Sequence, residues 1–256
     1  LGLVGSEMCI RDRRNKACER EEENPEEGGV LAVWGSPSSG KTVVSVKLAE
    51  HLAQKKRNVI LILADMITPP LPYLCVPSDM EQERSLGSIL AAAHVTENLI
   101  KKNCMFYRKS EHLSIIGMLK GENVFTYPPY EKEQAEELIR QAAQIAPYVI
   151  IDCTSNIASD ILSAVALMEA DTVLRLVGCD LKSISYLSSQ LPMLSDHKWD
   201  ADKQLKVVSN IRKQDASSHM EQILGKVAFQ IPYSSEVEAQ FLDCLLYTSP
   251  SPRDRG

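Results

Sequence analysis

Aromatic residues are scarce in this chain, 5% of 256, and no stretch approaches the ~18 consecutive apolar residues of a membrane-spanning helix. A spanning protein is therefore excluded. With 12 glycines and 13 prolines, collagen-like and low-complexity chains are excluded too. No dense Lys/Arg block is present and the net charge is −6, so no global electrostatic case exists for nucleic acid, although a local basic face stays open. The seven cysteines include no CxxC pair, and the five histidines (His51, His94, His112, His197 and His219) have no metal-ligand spacing. Zinc sites and a disulfide framework are thereby disfavoured, and reduced thiols of a cytoplasmic protein are expected. What is present is 44% apolar and 24% charged residues, an ordinary balance for one α/β domain with a sizeable core or two small domains.

The two ends stand apart from the rest. One DNA stretch can encode Leu3–Arg13 (LVGSEMCIRDR), and its reverse complement encodes Cys244–Asp254 (CLLYTSPSPRD). Unrelated protein ends do not share an inverted repeat, and this one resembles the adapter of transposon-based sequencing libraries. Residues 1–13 and 244–256 are accordingly read as adapter-derived and set aside. The front tail's charges cancel and the back tail carries a net +1, which leaves the insert at −7 with Cys18, Cys75, Cys104, Cys153 and Cys179. Each of these is expected to be a small buried hydrophobe. Residues 14–29 form an acidic linker, since EREEENPEEGG has charge, Pro and Gly but no apolar period. Residues 30–243 remain as a single domain.

Within that domain short apolar runs alternate with helical stretches. The runs are Val30–Trp34, Val59–Ala64, Leu113–Met118, Tyr148–Ile151, Thr172–Val177, Lys206–Ser209 and Val227–Ile231. The clearest helices are Thr42–Gln54, Glu131–Ile145 and Asp160–Glu169, the first with Leu48, His51 and Leu52 on one side at i, i+3, i+4 spacing. Strands alternating with helices predict an α/β fold, a doubly wound, mostly parallel sheet covered on both faces.

The strongest chemical signal is Gly35-Ser36-Pro37-Ser38-Ser39-Gly40-Lys41-Thr42, which fits GxxxxGK[ST] and sits between an apolar strand and a helix, as a phosphate-binding loop requires. Glycines let backbone N–H groups turn inward, and the helix N-terminus, running on into Val43, adds positive potential. Lys41 is expected on the β- and γ-phosphates of ATP and the Thr42 hydroxyl on Mg²⁺. Asp152 ends the run Tyr148-Val-Ile-Ile, where a carboxylate joins the Mg²⁺ shell, and Asp65 ends Val59-Ile-Leu-Ile-Leu-Ala. Both fall at carboxyl ends of parallel strands, the rim where ligands bind. A polar residue capping a strand is the plainer alternative for each.

The segments VLAVWGSPSSGKTVVSVKLAEHLAQ, NVILILAD, YVIIDCTS, ADTVLRLVGCDLKSI, KVVSNI and AFQIPYSSEVEAQ resemble the ParA/MinD superfamily of deviant-Walker P-loop ATPases, nearest its CpaE/TadZ-like branch. The resemblance runs from about Val30 to Gln240. It implies ATP and Mg²⁺ as cofactors, a homodimer, and partners in pilus, secretion, conjugation or partition machinery. It also implies that Asp65 orients the attacking water and that Asn210 contacts adenine, with a simple turn Asn as the alternative. The family's usual motif is KGGxGKT, whose early lysine reaches the nucleotide of the second subunit. Here Ser36 occupies that position, and Pro37 and Ser38 replace the glycines, which implies slow hydrolysis. A non-hydrolysing adaptor and a tyrosine-kinase-like relative stand as alternatives. The Pro-rich stretch Met66–Tyr73 reads as a phosphate-sensing segment or a connection, and Tyr127-Pro-Pro-Tyr130 as a rigid helix entry. Lys101 and Lys102 with Arg108 and Lys109 read as a solvated helix end before a contact to DNA or anionic membrane.

Overall fold

The computed structural model describes residues 28–75, 84–107, 110–194, 196–212 and 224–242. The two tails, the acidic linker up to residue 27, Cys18, Arg108, Lys109, His219 and Asp243 lie outside the described residues. The chain runs β1 (Gly29–Gly35), α1 (Lys41–Gln54), β2 (Val59–Leu63), α2 (Leu71–Leu74), α3 (Leu86–Leu90), α4 (Glu97–Asn103), β3 (Met105–Phe106) and β4 (Leu113–Ile116). It continues through α5 (Lys132–Ile145), β5 (Tyr148–Asp152), α6 (Ile161–Glu169), β6 (Thr172–Val177), α7 (Leu181–Leu194), β7 (Gln204–Ile211), β8 (Phe229–Pro232) and α8 (Ser235–Leu242).

Among the described residues the strands form one sheet in the order β3-β4-β2-β5-β1-β6-β7-β8. All pairings are parallel except β3 with β4 at the edge. The expected doubly wound, mostly parallel sheet is therefore what forms. Its period-2 logic is plain in the centre. Ala32, Trp34, Ile60, Ile62, Val149 and Ile151 pack on one face with α5 and α6, whereas Val33, Leu61, Leu63 and Ile150 pack on the other with α1. Both faces are buried, which is why these strands are apolar throughout rather than alternating.

Helix starts follow local capping chemistry. At α5 the Glu131 and Gln134 side chains form a reciprocal capping box, and at α6 the Ser163 N–H donates to Asp160 Oδ2 at 3.1 Å. One stripe differs from expectation. The face of α1 against the sheet is Val46, Ala49 and Ala53, while Leu48 and Leu52 pack at its margin and His51 is exposed. Small alanines on this face let the helix lie close against the sheet. Strand limits also shift: β4 stops at Ile116, β7 extends from Gln204 to Ile211, and β8 begins at Phe229. Cys75, Cys104 and Cys153 are buried, as expected of small hydrophobes, and Cys179 is half-buried. Lys101 is held by Glu97 at 2.7 Å on an exposed helix face, which favours the solvated reading of that basic pair. Among the described residues no helix is long and apolar enough to cross a membrane.

Candidate functional site

Strand β1 lies at the sheet centre between β5 and β6, so the loop at its carboxyl end emerges where the crossovers diverge, the usual place for a ligand in such sheets. Two glycines shape that loop. At Gly35 a Cβ would stand 1.8 Å from the Leu176 carbonyl oxygen, so only glycine lets β1 approach β6 this closely. Gly40, at φ 83°, is the left-handed N-cap of α1 and supplies no side-chain cap. The N–H groups of the first helical turn are thus left without an intrahelical partner, no acidic residue shares that turn, and the site suits an anion. Ser38 takes the left-handed conformation at φ 62°, which strains a residue with a Cβ. Ser39 is buried, with its hydroxyl unpartnered and its carbonyl accepting the Ser209 hydroxyl at 2.6 Å.

The sequence-expected chemical groups converge. Thr42 Oγ1 donates to Asp152 Oδ2 at 2.6 Å. Ser45 Oγ, one turn on, lies 3.2 Å from Asp152 Oδ1 and also donates to the Lys41 carbonyl at 2.9 Å. Asp152 reaches this position because β5 ends level with Val33 of β1 and Leu63 of β2. Burial pushes its carboxyl up to about 6, against the pull of the Thr42 hydrogen bond, the Lys41 ammonium and Ser45. Lys41 Nζ donates to the Ser36 carbonyl at 3.1 Å and to Ser155 Oγ at 2.7 Å. Burial pushes its basicity down, opposed chiefly by the nearby Asp152 charge. A buried ammonium held by two neutral oxygens and facing a hydroxyl–carboxylate pair is matched to a phosphate and a divalent cation. The residues present therefore fit both groups.

Asp65 stands in the turn after β2, where its Oδ1 accepts the N–H groups of Ile67 (2.9 Å) and Thr68 (2.8 Å). It thereby shapes the start of the Pro-rich stretch as well as facing the site. Asp65, Lys41, Thr42 and Asp152 line one cavity of about 1140 Å³, together with Pro37, Ser38, Ser155 and the segments 123–125, 127–130 and 159–161. Asn210 sits elsewhere on the rim, exposed, at φ 58°. It is next to Ser209 and near Arg212, whose guanidinium lies 4.4 Å from the Tyr233 ring centre; none of these lines the cavity. Ser36 is fully buried. Its Oγ lies 2.9 Å from Ser183 Oγ and accepts the Gly178 N–H at 3.2 Å.

Three participants escape sequence reasoning: Ser45, Ser155 and Ser183. Only Ser45 had a legible signal, its place three residues after Thr42 on one helix face.

No family model matches the sequence, and no curated protein does. Solved structures are similar in fold. A ParA family ATPase from Chlorobium tepidum is 16% identical with a TM-score of 0.69 over 84% of this chain and 90% of that one. MinD from Pyrococcus horikoshii, solved with Mg-ADP, is 14% identical with a TM-score of 0.67 over 87% and 90%. A putative plasmid partition protein from Borrelia burgdorferi, bound to AMPPNP, is 16% identical with a TM-score of 0.63 over 87% and 92%. The chain has the ParA/MinD P-loop NTPase fold.

Proposed function

We propose that this chain is a Mg·ATP-binding switch of the ParA/MinD type, a positioning or assembly ATPase that dimerises around nucleotide. The observation that carries the reading is the Thr42–Asp152–Ser45 cluster beside Lys41 on a glycine-shaped loop at a helix N-terminus. Thr42 and Asp152 would hold Mg²⁺, Lys41 and the N–H groups of residues 38–43 the phosphates, and Asn210 the adenine. Bound Mg²⁺ would supply charge neutralisation on phosphate oxygens. Asp65 is the carboxylate placed to orient water, and the P-loop with α1 holds the reacting end in register. Solved relatives in fold that carry Mg-ADP or AMPPNP support this use of the site.

Turnover is slow on this reading. Ser36 occupies the position of the family's partner-reaching lysine, and its side chain is turned inward onto Ser183 and Gly178. The chain therefore presents no cation from that position to a second subunit. A cation placed where charge develops contributes several orders of magnitude to phosphoryl transfer. The same observation favours a second reading, a non-hydrolysing adaptor that uses ATP to hold partners. The cytoplasm and the pilus, secretion, conjugation or partition machinery complete the proposal, on the resemblance to the CpaE/TadZ-like branch.

Calorimetric titration with Mg·ATP tests the core of it. Wild type should bind, and Lys41→Ala should lose at least about a hundredfold in affinity, because a buried charge-assisted bond to phosphate is removed. Wild-type silence at millimolar nucleotide would end the proposal.

A further inference from the structure

Helix α7 touches the phosphate site at two points one turn apart. The buried Ser183 hydroxyl meets Ser36 Oγ at 2.9 Å, at the start of the P-loop. The Tyr186 hydroxyl donates to the Ser155 carbonyl at 2.6 Å, where Trp34 Nε1 also donates at 3.4 Å. Positions 183 and 186 share a helix face, so one side of α7 holds both the P-loop and the loop after β5. Ser155 itself links the two environments. Its carbonyl is fixed by Trp34 and Tyr186, while its hydroxyl lines the cavity and accepts Lys41 Nζ at 2.7 Å. An ammonium only donates, so this bond uses an oxygen lone pair of Ser155 and leaves its O–H proton free to donate. Among the described residues that proton has no recorded acceptor.

Resting on the nucleotide reading above, we propose that the Ser155 hydroxyl is a ligand of the terminal phosphate, distinguishing a nucleoside triphosphate from a diphosphate. Tyr186 is the positioning residue that ties this ligand to α7. The physical reason is substitution in place. Lys41 now rests between the Ser36 carbonyl and Ser155 Oγ, the position a phosphate oxygen must share. When that oxygen takes over the Lys41 donors, the free Ser155 O–H stands beside it and gains a charge-assisted acceptor. Tyr186 does not line the cavity, so it acts only through the Ser155 carbonyl. Burial pushes the Tyr186 phenol up, the Arg175 guanidinium opposing, which keeps its proton in place as a donor. Trp34, bonded to the same carbonyl, is a built-in optical reporter.

The experiment measures affinities for Mg·ATP and Mg·ADP by calorimetry, and tryptophan emission in both states. The full chain is compared with Ser155→Ala, Ser155→Thr and Tyr186→Phe, with melting curves confirming that each variant folds. Ser155→Ala should reduce the preference for ATP over ADP about tenfold while ADP binds as well or better, because Lys41 is released from its resting partner. Ser155→Thr, which keeps a hydroxyl, should restore the preference. Tyr186→Phe should reduce it about threefold and shrink the emission difference between ATP- and ADP-bound states. An unchanged ATP/ADP ratio in Ser155→Ala would overturn the proposal while leaving nucleotide binding intact. Absence of any binding by wild type would instead overturn the reading of the site on which it rests.

Discussion

Replacing Asp152 with Asn should make the nucleotide-free protein more stable. The carboxyl is fully enclosed among strand ends, and burial raises its folded-state value from 3.8 to about 6. A group raised in the folded state contributes stability that is fully present below its unfolded value and lost as pH rises through the folded one. At pH 7.5 the two-unit gap therefore amounts to about 3 kcal/mol against the fold. Asn is isosteric, and the Thr42 and Ser45 hydroxyls can still pair with it, one as donor and one as acceptor. The attraction of Lys41 is already contained in that folded-state value, so the expected gain is about 3 kcal/mol, or about 6–12 °C in melting temperature. The linkage also sets the pH dependence. At pH 5 wild type is mostly protonated in the folded state, and the advantage of Asn should fall to about half. Denaturant titrations at pH 7.5 and pH 5, with and without saturating Mg·ATP, measure all of this. Nucleotide should reverse the order, since wild type alone holds the cation well, and a ligand at a thousand times its dissociation constant adds about 4.1 kcal/mol. A variant no more stable than wild type at pH 7.5, or one whose advantage ignores pH, would refute the argument from burial.

Other perturbations have defined outcomes. Asp65→Asn keeps an oxygen for the Ile67 and Thr68 N–H groups, so ATP affinity should stay within about threefold while any measurable hydrolysis is lost; equal steady-state turnover would strip Asp65 of its role. Arg175 is 4% exposed, and among the described residues its Nε and Nη2 have no hydrogen-bond partner, with the Trp34 ring 5.6 Å from its guanidinium. Arg175→Met should therefore be neutral or stabilising by about 1–3 kcal/mol in denaturant titration, and a large loss would show that the guanidinium is compensated. Replacing Ser36-Pro37-Ser38 with Lys-Gly-Gly should raise ATPase rate and its dependence on protein concentration, whereas Ser36→Lys alone should chiefly destabilise; a fast wild type would show that another cation serves.

The central strands and the three clearest helices were legible because burial on both faces writes itself as continuous apolar runs, and because caps such as Glu131 and Asp160 are local. Two kinds of element were not. The two-residue β3 is held by antiparallel pairing to β4, a tertiary event with no signal of its own. Helix α7 has apolar residues at Ile184, Leu187 and Leu194, but serines and an internal Pro192 interleave them, and its tie to the phosphate loop through the Ser183 and Tyr186 hydroxyls is a tertiary contact. In α1 the apolar spacing of Leu48 and Leu52 pointed slightly away from the true contact, since close approach to the sheet selects alanine.

The site divides along the same line between local and tertiary causes. Lys41, Thr42 and Asp152 could be placed because a glycine-bounded loop is a local structure and because parallel register delivers the end of β5 beside it. The direction of Ser36 could not. It follows from Gly35 lying against the Leu176 carbonyl, which carries the next residue inward to Gly178 and Ser183. On this backbone a lysine at 36 would exchange two hydrogen bonds for a buried ammonium, a loss of several kcal/mol unless the loop is rerouted. Pro37, with its fixed φ, resists rerouting, whereas Ser38 already adopts the left-handed conformation that glycine would take without strain. The difference from a KGGxGKT loop is thus one concerted feature rather than three independent ones: an inward Ser36, a Pro37 that fixes the path, and a Ser38 in a turn that suits glycine. Its physical effect is to turn Ser36 inward and join the start of the loop to α7, the helix that also holds the Ser155 carbonyl.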